Sequence, residues 1–223
     1  MHHGLKRMFS GQESVFYYLT VMNENYPQPE MPAGCEEGIL RGMYLVREGA
    51  APKKAKEKRP RVQLLGCGTI LREVIAAAEL LDADFAVDAD VWSATSFTEL
   101  RRDGMAMERW NRLHPTEPPR RSYVEQCLET RAGPAVAASD YMRLFADQIR
   151  PWVSRRFVTL GADGFGRSDM RARLRRFFEV DRFHVAITAL KALADEGEIG
   201  SQVVAGAIDR YGIDPELPDP WVR

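Results

Sequence analysis

Residues Arg155–Phe178, RRFVTLGADGFGRSDMRARLRRFF, decide the fold. Arg155–Leu160 is an apolar run with β-branched residues that ends at a glycine, which is typical of a buried strand. Gly161–Arg167 carries three glycines and predicts a turn. Ser168 begins a segment whose apolar residues recur at helical spacing. The stretch therefore predicts a strand, a turn and a helix in succession.

The turn and the helix start are also a candidate binding site. Ser168 and Asp169 are suited to cap the helix, since their side-chain oxygens accept hydrogen bonds from unpaired amides at its first turn. The glycines let the backbone approach either a neighbouring segment or an anion closely. Both interpretations stay open: a tight connection, or an anion or interface site. The residues of that candidate site are Gly164, Gly166, Arg167 and Ser168.

The same alternation of strand, turn and helix recurs along most of the chain. Alternating strands and helices predict an α/β fold, a three-layer αβα sandwich with a mostly parallel sheet. The predicted strands are Arg61–Leu65, Phe85–Ala94, Ala132–Ala138 and Arg155–Leu160. The predicted helices are Thr69–Leu81, Phe97–Leu113, Tyr123–Glu129, about Asp181–Glu196 and about Ser201–Tyr211. A further, amphipathic helix is predicted to be capped by Ser139 or Asp140. The residues of this helix that face the core are Met142, Leu144, Phe145, Ile149 and Trp152.

The beginning of the chain has a different pattern. Met1–Phe9 resembles the end of a helix, and Ser14–Met22 (SVFYYLTVM) is a nearly continuous apolar run of the kind found in strands buried on both faces. Such a strand needs neighbours, and none precede it. We therefore expect the chain to begin inside a domain whose larger part is missing, with Met1 an internal methionine. The alternative is that this strand joins the edge of the later sheet.

Proline-rich and charged segments divide the chain into three parts. Residues 23–34 hold three prolines, and six of the nine residues in Lys53–Arg61 are basic. No aromatic residues interleave with these charges, so a solvated loop is favoured over a nucleic-acid site. We predict three parts: the edge of a preceding domain with its connector at 1–34, a linker segment at 35–60, and the main domain at 61–223. Within the linker segment, a short helix and a strand are predicted over Cys35–Val46.

Composition excludes several classes of protein. The 31 basic and 32 acidic residues give a net charge of −1, which predicts neither a nucleic-acid nor a membrane partner. Cys35, Cys67 and Cys127 lie far apart without a CxxC pair, so neither a zinc site nor a disulfide framework is indicated. We expect a cytoplasmic location.

Residue chemistry alone identifies no active site. His114 and His184 have no partner visible in the sequence, and no HExxH, GxSxG or Walker motif occurs. The glycines of Gly66–Gly68 resemble the start of a dinucleotide fold, but the third glycine of that fingerprint would fall at Leu71. No catalytic residue is therefore assigned.

Several long motifs, in one order, resemble a known family. They are NENYPQPEMP at 23–32, EEGILRGMY at 36–44, VQLLGCGTILREV at 62–74, SFTELRRDG at 96–104, ERWNRLHP at 108–115, SDYMRLFADQIR at 139–150 and LGADGFGRSDMRARLRRFFEVD at 160–181. Together they resemble the carboxyl-terminal part of the homodimeric bacterial decarboxylating component of the pyruvate dehydrogenase complex. The resemblance implies a transketolase-like carboxyl-terminal domain, with Met1–Met22 as the last helix and strand of a pyrimidine-binding domain.

The resemblance also implies an activity and its partners. The family decarboxylates pyruvate with thiamine diphosphate and magnesium, and transfers the two-carbon unit to lipoyl groups of an acetyltransferase component, in pyruvate metabolism and glycolysis. Its members are homodimers. This chain lacks the family's GDG motif and paired asparagines, which hold magnesium and diphosphate; its asparagines are Asn23, Asn25 and Asn111. The family's cofactor-activating glutamate and active-site histidines lie before Met1. The resemblance therefore implies a supporting domain, with no cofactor bound by this segment alone.

Two alternatives remain at this stage. The domain could be a separate module that binds a small anion or a partner at the carboxyl ends of its strands, where open α/β sheets bind ligands. It could also belong to a related transketolase-type enzyme with another ketone substrate, which the GFGRSD and ERWNRLHP motifs disfavour.

We predict that the 223-residue chain has no magnesium-dependent affinity for thiamine diphosphate, because the oxygen ligands that link a hard cation to the phosphates are missing. Titration calorimetry with and without magnesium measures this. A saturable, magnesium-dependent signal would contradict the prediction.

Overall fold

The structure, a computed structural model, describes residues 1–22, 24–49 and 59–223. The chain divides into two units, Met1–Glu30 and Met31–Arg223. The lysine-rich run at 53–58, predicted to be a solvated loop, lies outside the described residues.

The first unit is a short helix with an extended segment. Helix α1 spans His2–Leu5 and continues as a π-helix over Lys6–Ser10. Tyr17 folds back onto it, with its hydroxyl 2.9 Å from His3 Nδ1. The prediction of a helix end at the start of the chain is confirmed.

The apolar run at 14–22 is neither paired nor buried in the structure. Its residues form no strand, and Phe16, Tyr18 and Val21 are 88%, 86% and 88% exposed. The prediction of a buried strand is therefore wrong for this chain. The alternative, that the run joins the later sheet, is also wrong, because the sheet takes its five strands from other segments. An isolated strand has no ladder of hydrogen bonds to hold it.

The second unit is built on a five-stranded sheet. Its strands are β1 (Met43–Arg47), β2 (Arg61–Gly66), β3 (Asp88–Ala94), β4 (Ala135–Ala138) and β5 (Phe157–Leu160). Their order is β1-β3-β2-β4-β5, with β1 antiparallel to β3 and the other pairs parallel. The predicted mostly parallel sheet is confirmed.

Helices cover both faces of this sheet. They are α2 (Glu36–Arg41), α3 (Leu71–Phe85), α4 (Phe97–Leu113), α5 (Tyr123–Leu128), α6 (Arg143–Asp147), α7 (Arg171–Phe177), α8 (Arg182–Asp195) and α9 (Ser201–Arg210). The hydrophobic core with α3, α8 and α9 lies on one face, and the core with α4, α5 and α6 lies on the other. The predicted three-layer αβα sandwich is confirmed.

The central strand β2 contributes to both cores. Val62 and Leu64 belong to the core with α3, and Leu65 belongs to the core with α4. All three side chains are completely buried. Because alternate residues of a strand face opposite sides, one short strand fixes both helical layers.

Strand β1 lies inside the stretch 35–60 that the sequence analysis assigns to a linker. It pairs with β3 through Met43 and Ala94, and Met43 is fully buried. Residues 36–47 are thus part of the second unit. The short helix and strand predicted within Cys35–Val46 are confirmed as α2 and β1. The boundaries at 34 and 60 stay predictions.

The helix after the glycine turn begins later than predicted. Helix α7 starts at Arg171 behind Met170, whose backbone is extended, and no side chain caps it. The prediction that Ser168 and Asp169 cap this helix is wrong, because both residues precede the extended Met170. Asp169 instead accepts a 2.7 Å hydrogen bond from the Met170 amide.

The predicted amphipathic helix after Ser139 is interrupted. The Ser139 hydroxyl accepts a hydrogen bond from the Tyr141 amide at 3.2 Å and closes a turn, so α6 begins only at Arg143. A separate 3-10 turn, Arg150–Trp152, contains a proline, which cannot donate a helix hydrogen bond. Met142 and Leu144 are 54% and 67% exposed rather than core residues. The prediction is confirmed for Ile149 and Trp152, which are buried.

The described ranges contain no helix that is both long and apolar enough to cross a membrane.

We predict that Leu65→Asp unfolds the sheet unit or lowers its free energy of unfolding by about 4 kcal/mol. The reason is that the new carboxylate would be buried without a partner and out of contact with water. The matched control is Leu217→Asp, at a side chain that is 52% exposed. Urea unfolding monitored by circular dichroism compares the two variants. Equal stability of both variants would contradict the placement of Leu65 in the core.

Candidate functional site

The loops that follow β2, β4 and β5 meet at the carboxyl edge of the parallel strands. This edge is where open α/β sheets usually bind ligands. Cys67 donates its amide to Ala138 O at 3.1 Å, and Ser139 donates to Leu160 O at 3.2 Å, which extends the ladders into the loops. The edge is therefore ordered by main-chain hydrogen bonds between loops.

Gly161 brings two of these loops into direct contact. A side chain there would place its Cβ 2.4 Å from the Arg143 amide nitrogen and 2.5 Å from Tyr141 O. Ala162 donates to Tyr141 O at 2.9 Å, and the Asp163 carboxylate accepts from the Arg143 amide at 3.2 Å. The first glycine of the turn thus permits close packing of protein on protein.

Two carboxylates, those of Asp140 and Asp163, lie in the loops at this edge. Asp163 lies against Arg143, and Asp140 lies 3.5 Å from the Thr69 hydroxyl. Burial, followed by the charge of Asp140, raises the pKa of the Cys67 thiol to about 11. The thiol therefore stays protonated at neutral pH and is a poor nucleophile.

Two of the four candidate anion-site residues contact the last residues of the chain. Gly164 has φ +97, and a Cβ on it would lie 3.2 Å from Trp221 Cα. Arg167 donates from Nη2 to the main-chain oxygen of Arg223. Gly166 has open space around its Cα, and Ser168 is exposed. The structure therefore brings Gly164 and Arg167 to one contact and leaves Gly166 and Ser168 outside it.

A small cluster, which we call the C-terminal clasp, surrounds this contact; it consists of Arg167, Phe177, Glu179 and Arg223. The guanidinium groups of Arg167 and Arg223 lie 4.9 and 5.3 Å from the centre of the Phe177 ring. Arg223 also pairs with Glu179 at 2.6 Å. The Arg167 guanidinium is thus already engaged by a main-chain oxygen and a ring. An anion role for this turn stays a prediction.

A second polar cluster, centred on Glu73, was missed by the sequence analysis. Glu73 lies on α3 and is only 5% exposed. It accepts from Arg175 Nη1 at 3.0 Å, from Arg182 Nε at 2.9 Å and from the Arg182 amide at 3.1 Å. The hydrogen bond to Glu73 raises the pKa of Arg182. The cluster ties α3 to α7 and α8.

A cavity of about 260 Å³ adjoins this cluster and is lined by Glu73, Ala172, Arg175, Asp181, Arg182 and Phe183. Its two arginines already share the Glu73 carboxylate. In the sequence, the only sign of this cluster is that Glu73, an acidic residue, lies four positions before Ala77 on the buried face of α3. That signal does not reveal the partners.

Both histidines make contacts that the sequence did not show. Asp181 caps α8, accepting from the His184 amide at 3.0 Å, and its carboxylate lies 2.7 Å from His184 Nδ1. Burial raises the pKa of Asp181, whereas the hydrogen bonds from His184 and the charge of Arg176 lower it. The lowering is the larger effect, so the pKa of Asp181 lies below its usual value. The Nδ1 atom of His114 lies 2.8 Å from Trp110 O. Both histidines thus have partners that are not visible in the sequence.

Within residues 1–22, 24–49 and 59–223, no three histidine, cysteine or acidic side chains are grouped as metal ligands.

Two family matches cover most of the chain. Residues 42–181 match the family described as the transketolase-like TK C-terminal domain. Residues 1–29 match the family described as the pyruvate dehydrogenase E1 component middle domain.

Similar proteins include three bacterial pyruvate dehydrogenase E1 components. That of Cupriavidus necator is 59% identical over 99% of this chain, that of Pseudomonas aeruginosa 60% over 97%, and that of Escherichia coli 50% over 99%. The chain spans 24% of the length of each. Among solved structures, a transketolase from Pichia stipitis is similar with a TM-score of 0.50 and 18% identity, over 79% of this chain and 21% of that one. This last likeness concerns the fold alone.

We predict that Glu73→Gln lowers the free energy of unfolding by about 3 kcal/mol, because two arginines lose the charge that compensates them in a mostly buried site. The control is Glu79→Gln on the same helix, where the side chain is 64% exposed and pairs with Arg47 at 3.4 Å. The control should change stability by less than about 0.5 kcal/mol. Denaturant unfolding measures both, and equal effects would contradict a supporting role for Glu73.

Proposed function

Because this chain belongs to the family of transketolase-like C-terminal domains, we propose that it is the carboxyl-terminal part of a pyruvate dehydrogenase E1 component. The observation that carries the proposal is the 59% identity to the Cupriavidus necator protein over 99% of the chain. The resemblance predicted from the sequence motifs is confirmed by the relatives and by both family matches.

The proposal includes the activity and the partners of the whole enzyme. The whole enzyme decarboxylates pyruvate and reductively acetylates lipoyl groups on an acetyltransferase component. Its partners are the remaining domains of the same polypeptide, a second copy in a homodimer, and that acetyltransferase. Its location is the cytoplasm. The family relationship supports the activity, and the partners and the location are part of the proposal.

The residues of this chain do not fit a site for thiamine diphosphate and magnesium. Asn111 is engaged at both ends of its amide, since Oδ1 accepts from the Arg120 amide at 2.7 Å and Nδ2 donates to Arg120 O at 2.9 Å. GDG, the family's magnesium motif, does not occur in the sequence. The chain therefore contributes structure, and the cofactor ligands belong to other parts of the whole enzyme.

The exposed run at 14–22 indicates how the chain joins those parts. Its large apolar residues follow one another almost without interruption, as in a central strand of a sheet. Phe16 and Tyr18 are more than four-fifths exposed. We infer that these side chains are buried against the rest of the middle domain in the whole enzyme, because residues 1–29 match that family.

The identities favour a pyruvate enzyme over a transketolase acting on another ketone. The three bacterial relatives are 50–60% identical to this chain. The transketolase from Pichia stipitis is 18% identical.

A chimera tests the proposal directly. The matching carboxyl-terminal part of the Cupriavidus necator protein is replaced by this chain, and turnover of pyruvate is compared with turnover of sugar phosphates. The chimera should use pyruvate with a kcat/KM within about tenfold of the parent. A folded chimera that uses sugar phosphates, or that does not use pyruvate, would contradict the proposal.

Paired substitutions in the chimera test the cover of the apolar run. Phe16→Asp with Tyr18→Asp should abolish assembly and activity, because both charges would be buried without partners. Met142→Asp with Leu144→Asp, at side chains 54% and 67% exposed, is the control and should leave activity unchanged. Equal activity of the two double variants would mean that the apolar run at 14–22 stays exposed to solvent in the chimera, which would contradict this prediction.

A further inference from the structure

Helix α4 presents a basic face to solvent that none of the contacts above uses. Its inner side is fixed by Phe97, Leu100 and Gly104, which are buried. At 100° per residue, Arg101, Arg109 and Arg112 lie within a sector of about 80° on the outer side. All three are exposed. The helix therefore carries a row of arginines over three turns.

These arginines are not neutralised by the rest of the molecule. In the part of the chain that the structure describes, Arg101, Arg109 and Arg112 form no ion pair or hydrogen bond through their side chains. Arg102, at the edge of the row, pairs with Glu99 instead. Exposed arginines elsewhere commonly have acidic partners, as Arg156 and Arg210 do with Asp195 and Asp84. Glu108, which is also exposed, lies about 20° from Arg101 around the helix, so this side of α4 carries a net charge of about +2.

Apolar side chains accompany the charges. Met105 and Leu113 are 49% and 54% exposed and lie in and beside the same sector. Eight residues, a little more than two turns, separate them, so they lie about 80° apart around the helix. A partner that fills this face therefore needs carboxylates together with apolar groups at helical intervals.

Trp110, His114 and Arg120 form a stack at the end of α4, about 100° around the helix from Arg109. The rings of Trp110 and His114 are 4.4 Å apart and within 9° of parallel, and the Arg120 guanidinium lies 3.8 Å from the centre of the Trp110 ring. The two hydrogen bonds between Asn111 and the Arg120 backbone fix the loop that carries Arg120.

We propose that this face, formed by Arg101, Met105, Arg109, Arg112 and Leu113, is a docking surface for an acidic amphipathic helix of a protein partner. Arginine forks bind carboxylates in two-point geometry, and the row from Arg101 to Leu113 is about 18 Å long, which matches roughly three turns of a partner helix. The Trp110 ring is already engaged by His114 and Arg120, so it offers no free platform for the base stacking that single-stranded nucleic acids require.

Binding of defined probes to the 223-residue chain tests the proposal. The main probe is a fluorescein-labelled synthetic helical peptide of glutamates with leucines at every third or fourth position. Poly-L-glutamate and oligothymidylate of similar length are the comparison probes. Fluorescence anisotropy at two salt concentrations gives the dissociation constants.

Charge reversal locates the site. Arg101→Glu with Arg109→Glu and Arg112→Glu should raise the dissociation constant of the peptide at least about tenfold, because each change replaces an attraction to a carboxylate by a repulsion. Arg156→Glu with Arg173→Glu and Arg210→Glu is the control, because it makes the same charge change at side chains 42%, 73% and 57% exposed elsewhere. The control should stay within about twofold, and unchanged melting temperatures show that the variants fold.

A second variant tests the apolar part. Met105→Ser with Leu113→Ser should remove the preference for the leucine-containing peptide over poly-L-glutamate and leave poly-L-glutamate binding unchanged. Three outcomes overturn the proposal: no peptide binding, equal losses in both triple variants, or tighter binding of oligothymidylate that depends on the α4 arginines. The last outcome would make the face a nucleic-acid site.

Discussion

The burial of β2 on both of its faces is the constraint on which the rest of the second unit depends. Val62 and Leu64 pack under α3, while Leu65 packs under α4, and all three are inaccessible to water. A strand in that position must have neighbours on both edges, and β3 and β4 supply them in parallel register. Parallel pairing requires crossover connections, and the helices in those connections form the two outer layers.

Buried charged side chains then fix the relative positions of helices and strands, which hydrophobic packing alone does not determine. Asp90, completely buried on β3, accepts hydrogen bonds from Arg61 at 2.7 Å and from Gln63 at 2.8 Å. Glu73 performs the same role between α3 and α8. Such carboxylates are costly to bury, so they are retained only where several donors surround them. The apolar run at 14–22 and the basic face of α4 are, by contrast, exposed.

Local patterns predicted the layers of the fold but not its long-range polar contacts. Arg61–Leu65 and Leu160 could be placed because apolar runs bounded by glycines are local signals. The starts of α6 and α7 could not, since they are set by the turn at Ser139 and by the extended backbone of Met170. Glu73 and Arg182 are 109 residues apart in the chain, so no pattern joins them. Of the candidate site, Arg167 was found but its contact with Arg223 was not.

Native-state hydrogen exchange tests most directly the claim that β2 organises the sheet unit. The amides of Val62–Gly66 should exchange only through global unfolding, with the largest protection in the chain, because their strand is covered on both faces and both edges. The amides of 14–22 should exchange without protection. Exchange of β2 as fast as that of the edge strand β1, while the helices stay protected, would contradict the account.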